Sequence, residues 1–282
     1  MKVLGLGEIV WDCLPGGRKL GGAPVNFCFY AKESGAEAFP VSAVGDDALG
    51  SETIAACRSF GLSTDFINVS DLPTSRVLVT VDKEGVPQYE ILENVAWDAL
   101  DTDEECLALV SDADCICWGS LAQRCAKSRD TILKILDSAP ESCLRVFDIN
   151  IRQHYYSKEI IEESLSRADI LKLNEEELPL VLTLTGCAQI DEIISKYRIK
   201  YVVYTCGASY SEVYSPAGLE SHIDTPMVDV VDTVGAGDSF TAIFAVHFLE
   251  GKEIKECHSK AVEVSAFVCT KAGAISHIYQ TA

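Results

Sequence analysis

The sequence predicts an α/β fold built on a mostly parallel central sheet with helices on its faces. Short apolar, β-rich runs alternate with segments of helical periodicity along most of the chain, the pattern of strands joined by crossover helices. The composition agrees: 48% hydrophobic and 23% charged residues over 282 positions can bury a sizeable core. Glycine and proline are scattered, and no repeat, low-complexity segment or linker divides the chain, so residues 1–282 read as one domain.

Strands are expected over residues 2–6, 39–44, 114–118, 144–148, 170–172 and 201–205, and helices over 47–60, 128–138 and 157–167. Two stretches interrupt the alternation. Residues 10–20 form one, and in the other, residues 76–81 and 88–92 flank the turn-like segment 82–87 as a hairpin would. Together, residues from about 10–20 and 75–95 predict a small β lid beside the main sheet, placed to exclude water from a site.

The net charge of −20 argues against nucleic acid or an anionic membrane as partners, because both need clustered Lys and Arg. The first apolar run is too short for a signal segment and nothing reaches the length of a membrane span, so a cytoplasmic location is expected. Twelve cysteines lie in apolar stretches without CxxC or zinc spacing and read as reduced packing residues. Cys115 and Cys117 are expected on opposite faces of their strand, which argues against a redox pair. Gly5-Leu6-Gly7 follows a strand but lacks the third glycine of a dinucleotide fingerprint.

The segment Asp232-Thr233-Val234-Gly235-Ala236-Gly237-Asp238-Ser239-Phe240 carries the strongest chemical signal. Its glycines allow a tight turn whose amides approach a ligand, and the helix that follows adds positive potential, so the turn suits an anion. Asp238, in the first helical turn, could accept the proton of an attacking hydroxyl. On spacing alone an ordinary capped helix start is the better fit.

The segment resembles the carboxy-terminal signature of the ribokinase-like, or PfkB, family of carbohydrate kinases, and further motifs match in order. Gly21-Gly22-Ala23-Pro24-Val25-Asn26 resembles the amino-terminal signature. Gly45-Asp46-Asp47, Trp118-Gly119-Ser120-Leu121, Asp148-Ile149-Asn150-Ile151-Arg152, Asn174-Glu175-Glu176-Glu177, Thr205-Cys206-Gly207 and Thr270-Lys271-Ala272-Gly273-Ala274 follow. The resemblance implies a three-layer α/β/α ribokinase-like fold and an ATP-dependent sugar kinase. It makes Asp238 the catalytic base and Gly235, Ala236 and Gly237 the anion hole. As a carboxylate near a helix N-terminus, Asp238 is expected to be a weak base at neutral pH.

By the same resemblance, Asp12, Gly22, Asn26 and Arg152 bind the sugar, with Arg152 expected at a strand end. Asn174, Thr205, Gly207 and Gly237 contact the nucleotide. Glu177 helps hold Mg²⁺ through water, while Asp232 and the Val234 carbonyl match ligands of a monovalent cation such as K⁺. Departures occur at Ala261-Val262-Glu263, where the family often has a polar residue before the adenine, and at His277, where a small hydroxyl residue is frequent. The motifs look most like fructokinase-type members, making fructose the first substrate expected. A sugar acid or nucleoside acceptor, or a silent sugar-binding regulator, remains open as an alternative. Pairing of lid edges would allow a homodimer.

Overall fold

The computed structural model of the chain describes residues 1–14, 17–81 and 87–278. Strand β1 (Lys2–Leu6) leads into two short strands, β2 (Val10–Leu14) and β3 (Gly17–Gly21), before helix α1 (Ala23–Glu33). Then come β4 (Glu37–Gly45), α2 (Ala48–Ser59), β5 (Ile67–Ser70), β6 (Arg76–Val81) and β7 (Pro87–Ile91). The middle of the chain alternates: α3 (Glu104–Ser111), β8 (Cys115–Trp118), α4 (Ala126–Ser138), β9 (Leu144–Asp148), α5 (Lys158–Leu165) and β10 (Ile170–Asn174). Helices α6 (Glu177–Thr185) and α7 (Ile190–Tyr197) precede β11 (Tyr201–Cys206), β12 (Tyr210–Ser215) and β13 (Gly218–Asp224). Helices α8 (Ala236–Leu249) and α9 (Ile254–Cys269) close the order.

Among the described residues, a nine-stranded sheet runs β13-β12-β11-β10-β9-β8-β1-β4-β5. Its pairs are parallel except at the β11-β12-β13 edge, which is antiparallel. Alternation along each strand feeds two cores. On one face Leu4, Leu6, Ile116, Trp118, Phe147 and Leu173 pack with residues of α3 to α7. On the other, Val3, Val146, Ile170 and Val203 pack with α1, α8 and α9. Cys115 and Cys117 both lie in this second core, which corrects the expectation that they face opposite ways, since residues two apart on a strand share a face.

Local chemistry sets the helix starts. Asp47 caps α2 by accepting the Gly50 N–H at 2.7 Å, and the same carboxylate accepts the Thr74 N–H at 2.9 Å, fastening the start of the helix to the strand that follows. Ser157 caps α5 in the same way. His258 on α9 ties the antiparallel edge down, with its two ring nitrogens 2.7 Å from Ser211 Oγ and 2.8 Å from Ser221 Oγ. Burial pushes its pKa down to about 4, so the buried ring is neutral near pH 7.

A second sheet, of order β3-β2-β6-β7, stands beside the first as a small β lid. The hairpin expected around residues 82–87 is represented by β6 pairing antiparallel with β7, while residues 82–86 lie outside those described. No single helix among the described residues is long and apolar enough to cross a membrane.

Candidate active site

The Asp232–Asp238 segment crosses from a loop into α8, with Gly235 at the helix cap in the left-handed region at φ 82°. A side chain at Gly235 would collide with the Ala274 carbonyl, so glycine alone lets the chain after α9 lie against this turn. Among the described residues the N–H groups of Gly235, Gly237 and Asp238 donate to no backbone carbonyl. With the helix dipole behind them they form an anion-friendly turn at the carboxyl ends of the parallel strands. Gly235→Ala should cost at least about 1–3 kcal/mol of stability and most binding of anions at the turn, checked by urea unfolding and by calorimetry with ATP.

Asp238 projects from the first turn of α8, and its Oδ2 accepts a 2.7 Å hydrogen bond from Asn26 Nδ2. One bond thus joins residues expected on the phosphate and acceptor sides. Burial of the carboxyl, with Asp148 adding repulsion, pushes Asp238 up to about 6, although Asn26, Lys172 and Arg152 pull the other way. This corrects the expectation of a weak base, because desolvation outweighs the helix dipole. Asp148, at the end of β9, accepts from Thr241 Oγ1 at 2.7 Å and pairs with the buried Lys172 Nζ at 3.3 Å. That ammonium stands against Gly237, 3.1 Å from where a Cβ would be. Burial opposes its charge, but Asp148, Glu177 and Asp238 outweigh burial and raise its pKa.

The turn opens into a cavity of about 550 Å³ that brings together Asp12, Gly22, Asn26, Arg152, Asn174, Glu177, Val234, Gly235, Gly237 and Asp238 from the expected set. Asp12 reaches it from lid strand β2, where burial raises its pKa against the pull of Arg152 and Lys19. Gly22 opens α1 at φ 119°, and any side chain there would strike the Glu8 carbonyl. Arg152 is not at a strand end: β9 stops at Asp148 and the guanidinium comes from the loop beyond, where Asn150 and Gln153 take left-handed conformations.

Asn174 Oδ1 accepts the N–H groups of Glu176 and Glu177, each at 2.9 Å, so this Asn caps the start of α6 while lining the cavity. Glu177 is buried, and its two oxygens accept the N–H groups of Ile151 at 2.8 Å and Asn174 at 2.9 Å, clamping the loop after β9 to the end of β10. Thr205 and Gly207 stand one strand further along, Thr205 in register with Asn174, and do not line the cavity. Asp232 accepts from Val234 N–H at 3.1 Å and Gly273 N–H at 2.9 Å, and lid residue Lys19 brings its ammonium within 3.6 Å of the carboxylate. These partners outweigh burial and hold Asp232 below the usual carboxylate range. Ala261 and Val262 are buried in α9, and His277 is held by Glu33 at 3.1 Å, packed edge-on to Phe29.

Sequence reasoning missed Glu8, Asp148 and Lys172 as cavity-side residues. Each is a charged side chain within or just past an apolar strand run, buried in the structure, and that placement was the available signal.

Residues 12–281 match the pfkB family of carbohydrate kinases. The chain belongs to that family. It is 28% identical over 274 residues to a probable fructokinase-4 of Arabidopsis thaliana, covering 90% of this chain and 83% of the relative. Among solved structures, the fructokinase of Xylella fastidiosa with bound ATP superposes with a TM-score of 0.82 at 22% identity, over 97% of this chain and 93% of that one. The fructokinase of Vibrio cholerae O395 bound to fructose, ADP and calcium gives 0.80 at 23% identity, over 98% and 95%. These likenesses establish the pfkB fold here, and the site described above occupies the carboxyl ends of its parallel strands.

Proposed function

We propose that this pfkB family member is an ATP-dependent kinase that transfers the γ-phosphoryl group to a hydroxyl of a small sugar, with fructose or a related ketohexose as the favoured acceptor. The observation that carries this is the Asn26–Asp238 hydrogen bond of 2.7 Å, which sets the base beside the acceptor-facing wall of the cavity. Asp238 takes the hydroxyl proton as the sugar oxygen bonds to phosphorus and the bond to the departing ADP oxygen breaks. The free N–H groups of Gly235, Gly237 and Asp238 hold the charge that develops on the transferring group, whereas that of Ala236, expected in the same anion hole, donates to the Thr233 carbonyl at 3.3 Å. Asp12, Asn26, Gly22 and Arg152 orient the sugar, Asn174 faces the nucleotide phosphates from the cavity wall, and Thr205 and Gly207, outside that cavity on the next strand, would meet the nucleotide beyond it. The two fructokinase structures whose names include nucleotides or fructose, and the fructokinase relative, support the same choice of ligands.

Mg²⁺ fits the donor set, because each Glu177 oxygen accepts one N–H and keeps a lone pair for a water of the hydrated ion. When bound, Mg²⁺ neutralises phosphate charge. At the Asp232–Val234 corner, the proposed place for K⁺, the Lys19 ammonium already contributes a positive charge. The protein would act in the cytoplasm. An ATP-coupled assay across ketoses, aldoses, sugar acids and nucleosides tests the proposal. Turnover on neutral sugars, fructose foremost, is expected. A folded sample that turns over none of them would overturn it.

A further inference from the structure

Among the described residues, two buried side-chain oxygens in the cavity wall have no hydrogen-bond partner. Glu8 lies two residues past β1, is 4% exposed and lines the cavity, and its Oε2 makes no hydrogen bond. Asn26, 3% exposed, donates its amide to Asp238 while its Oδ1 makes none. Buried polar atoms are almost always paired, and an orphan in a wall of a functional cavity marks a place that a ligand completes. Asn26 Oδ1 is an acceptor, and Glu8 Oε2 is one when ionised and a hydroxyl donor when protonated, so a sugar hydroxyl, which both donates and accepts, completes either state. The Glu8 carbonyl lies against the Gly22 turn, at the start of the helix that carries Asn26.

The charges around the cavity restrict the donor further. Glu8, Asp12, Glu177 and Asp238 line it against Arg152 and Lys172, and Lys172 is already paired with Asp148. A carboxylate or phosphate on the acceptor would meet an acidic wall, whereas a neutral polyol supplies hydroxyl donors without adding charge.

We propose that Glu8 is an acceptor-binding residue whose free carboxyl oxygen receives a hydroxyl hydrogen bond from the same neutral polyol that Asp12 and Asn26 contact. This rests on the reading of the cavity as a sugar site. Burial pushes the Glu8 carboxyl up to about 7, with the backbone N–H groups of Glu8 and Ala23 and the Arg152 charge opposing and Asp238 reinforcing that rise, and a hydroxyl donated to it favours the ionised form.

The test is calorimetry of the full chain with D-fructose and its monodeoxy analogues, comparing wild type, Glu8→Gln and Glu8→Ala, with ATP titrated separately. Glu8→Ala should bind fructose about 10- to 100-fold more weakly, the range for a hydrogen bond to a charged group, with ATP affinity unchanged. One deoxy analogue should bind wild type more weakly than fructose by a similar factor, and Glu8→Ala should no longer distinguish the two. A residue that only shaped the Gly22 turn would leave the deoxy penalties as they are in wild type, and that result overturns the inference. If neither variant folds, a crystal of wild type soaked in fructose decides: a sugar oxygen within hydrogen-bond distance of Oε2 upholds it, and a bound sugar that leaves Oε2 without contact overturns it. Binding that depends on Glu8 without turnover of any sugar would sink the kinase reading and leave this one standing. Turnover with unaltered deoxy penalties would do the reverse.

Discussion

Asp238→Asn is expected to lower kcat by about 10²- to 10⁴-fold, the usual contribution of a general base, while the protein folds normally. The substitution keeps the shape of the side chain, and its amide oxygen can still accept the hydrogen bond from Asn26 Nδ2. What it removes is the proton acceptor. In wild type, Asp238 is raised to about 6 by burial and by Asp148. The base works only when ionised, so kcat/KM should level off above that value and fall as pH drops through it. The variant should lose this limb. Asn26→Ala should move the limb to higher pH, since the Asn26 N–H favours the ionised carboxylate. Steady-state rates from pH 5 to 8 measure all three. Near-full turnover by Asp238→Asn would remove Asp238 from the chemistry.

The largest effect on stability is expected at Arg124, far from the anion-binding turn. Its guanidinium forms a two-pronged pair with Asp98, both bonds 2.7 Å, and gives a third hydrogen bond to the Leu92 carbonyl at 2.6 Å. It also lies over Trp97 and Tyr155, with the charge centre 4.0 and 4.6 Å from the rings. The two side chains are 4% and 3% exposed. Arg124→Met leaves Asp98 as an uncompensated buried charge, which should cost about 3–5 kcal/mol. Because Leu92 immediately follows lid strand β7, the same change should loosen the attachment of the lid. Adding Asp98→Asn should recover part of the loss, since the stranded charge goes with it. Urea unfolding of the single and double variants gives the comparison, and a cost below about 1 kcal/mol for Arg124→Met would contradict the assignment.

Much of the architecture was legible because each crossover unit advertises itself locally. The strand over residues 144–148 rests on an apolar run and appears as expected, and the helix expected over 47–60 appears as Ala48–Ser59, with Asp47 outside it as the cap. The antiparallel edge hairpin β12-β13 went unread, although residues 210–215 alternate between partly exposed and buried. Its serines break the apolar pattern that marks a strand, and the packing of His258 between Ser211 and Ser221 shows why they are inside. Thr205 and Gly207 matched a motif, yet the cavity wall passes them by, because adjacency in a strand order is not exposure to a given space.

By itself the sequence determined the α/β class and marked out the Asp232–Phe240 segment, since these follow from periodicity, turn chemistry and matched motifs. The tertiary structure decided what those residues are to one another. Asn26 and Asp238 are 212 positions apart and share a hydrogen bond; Asp148 and Lys172 come from neighbouring strands to stand under the same turn. The basicity of Asp238 was likewise beyond reach of the sequence. A helix start predicts a low pKa, but the desolvation that reverses it arises only when strand ends, α1 and α8 close round the carboxyl.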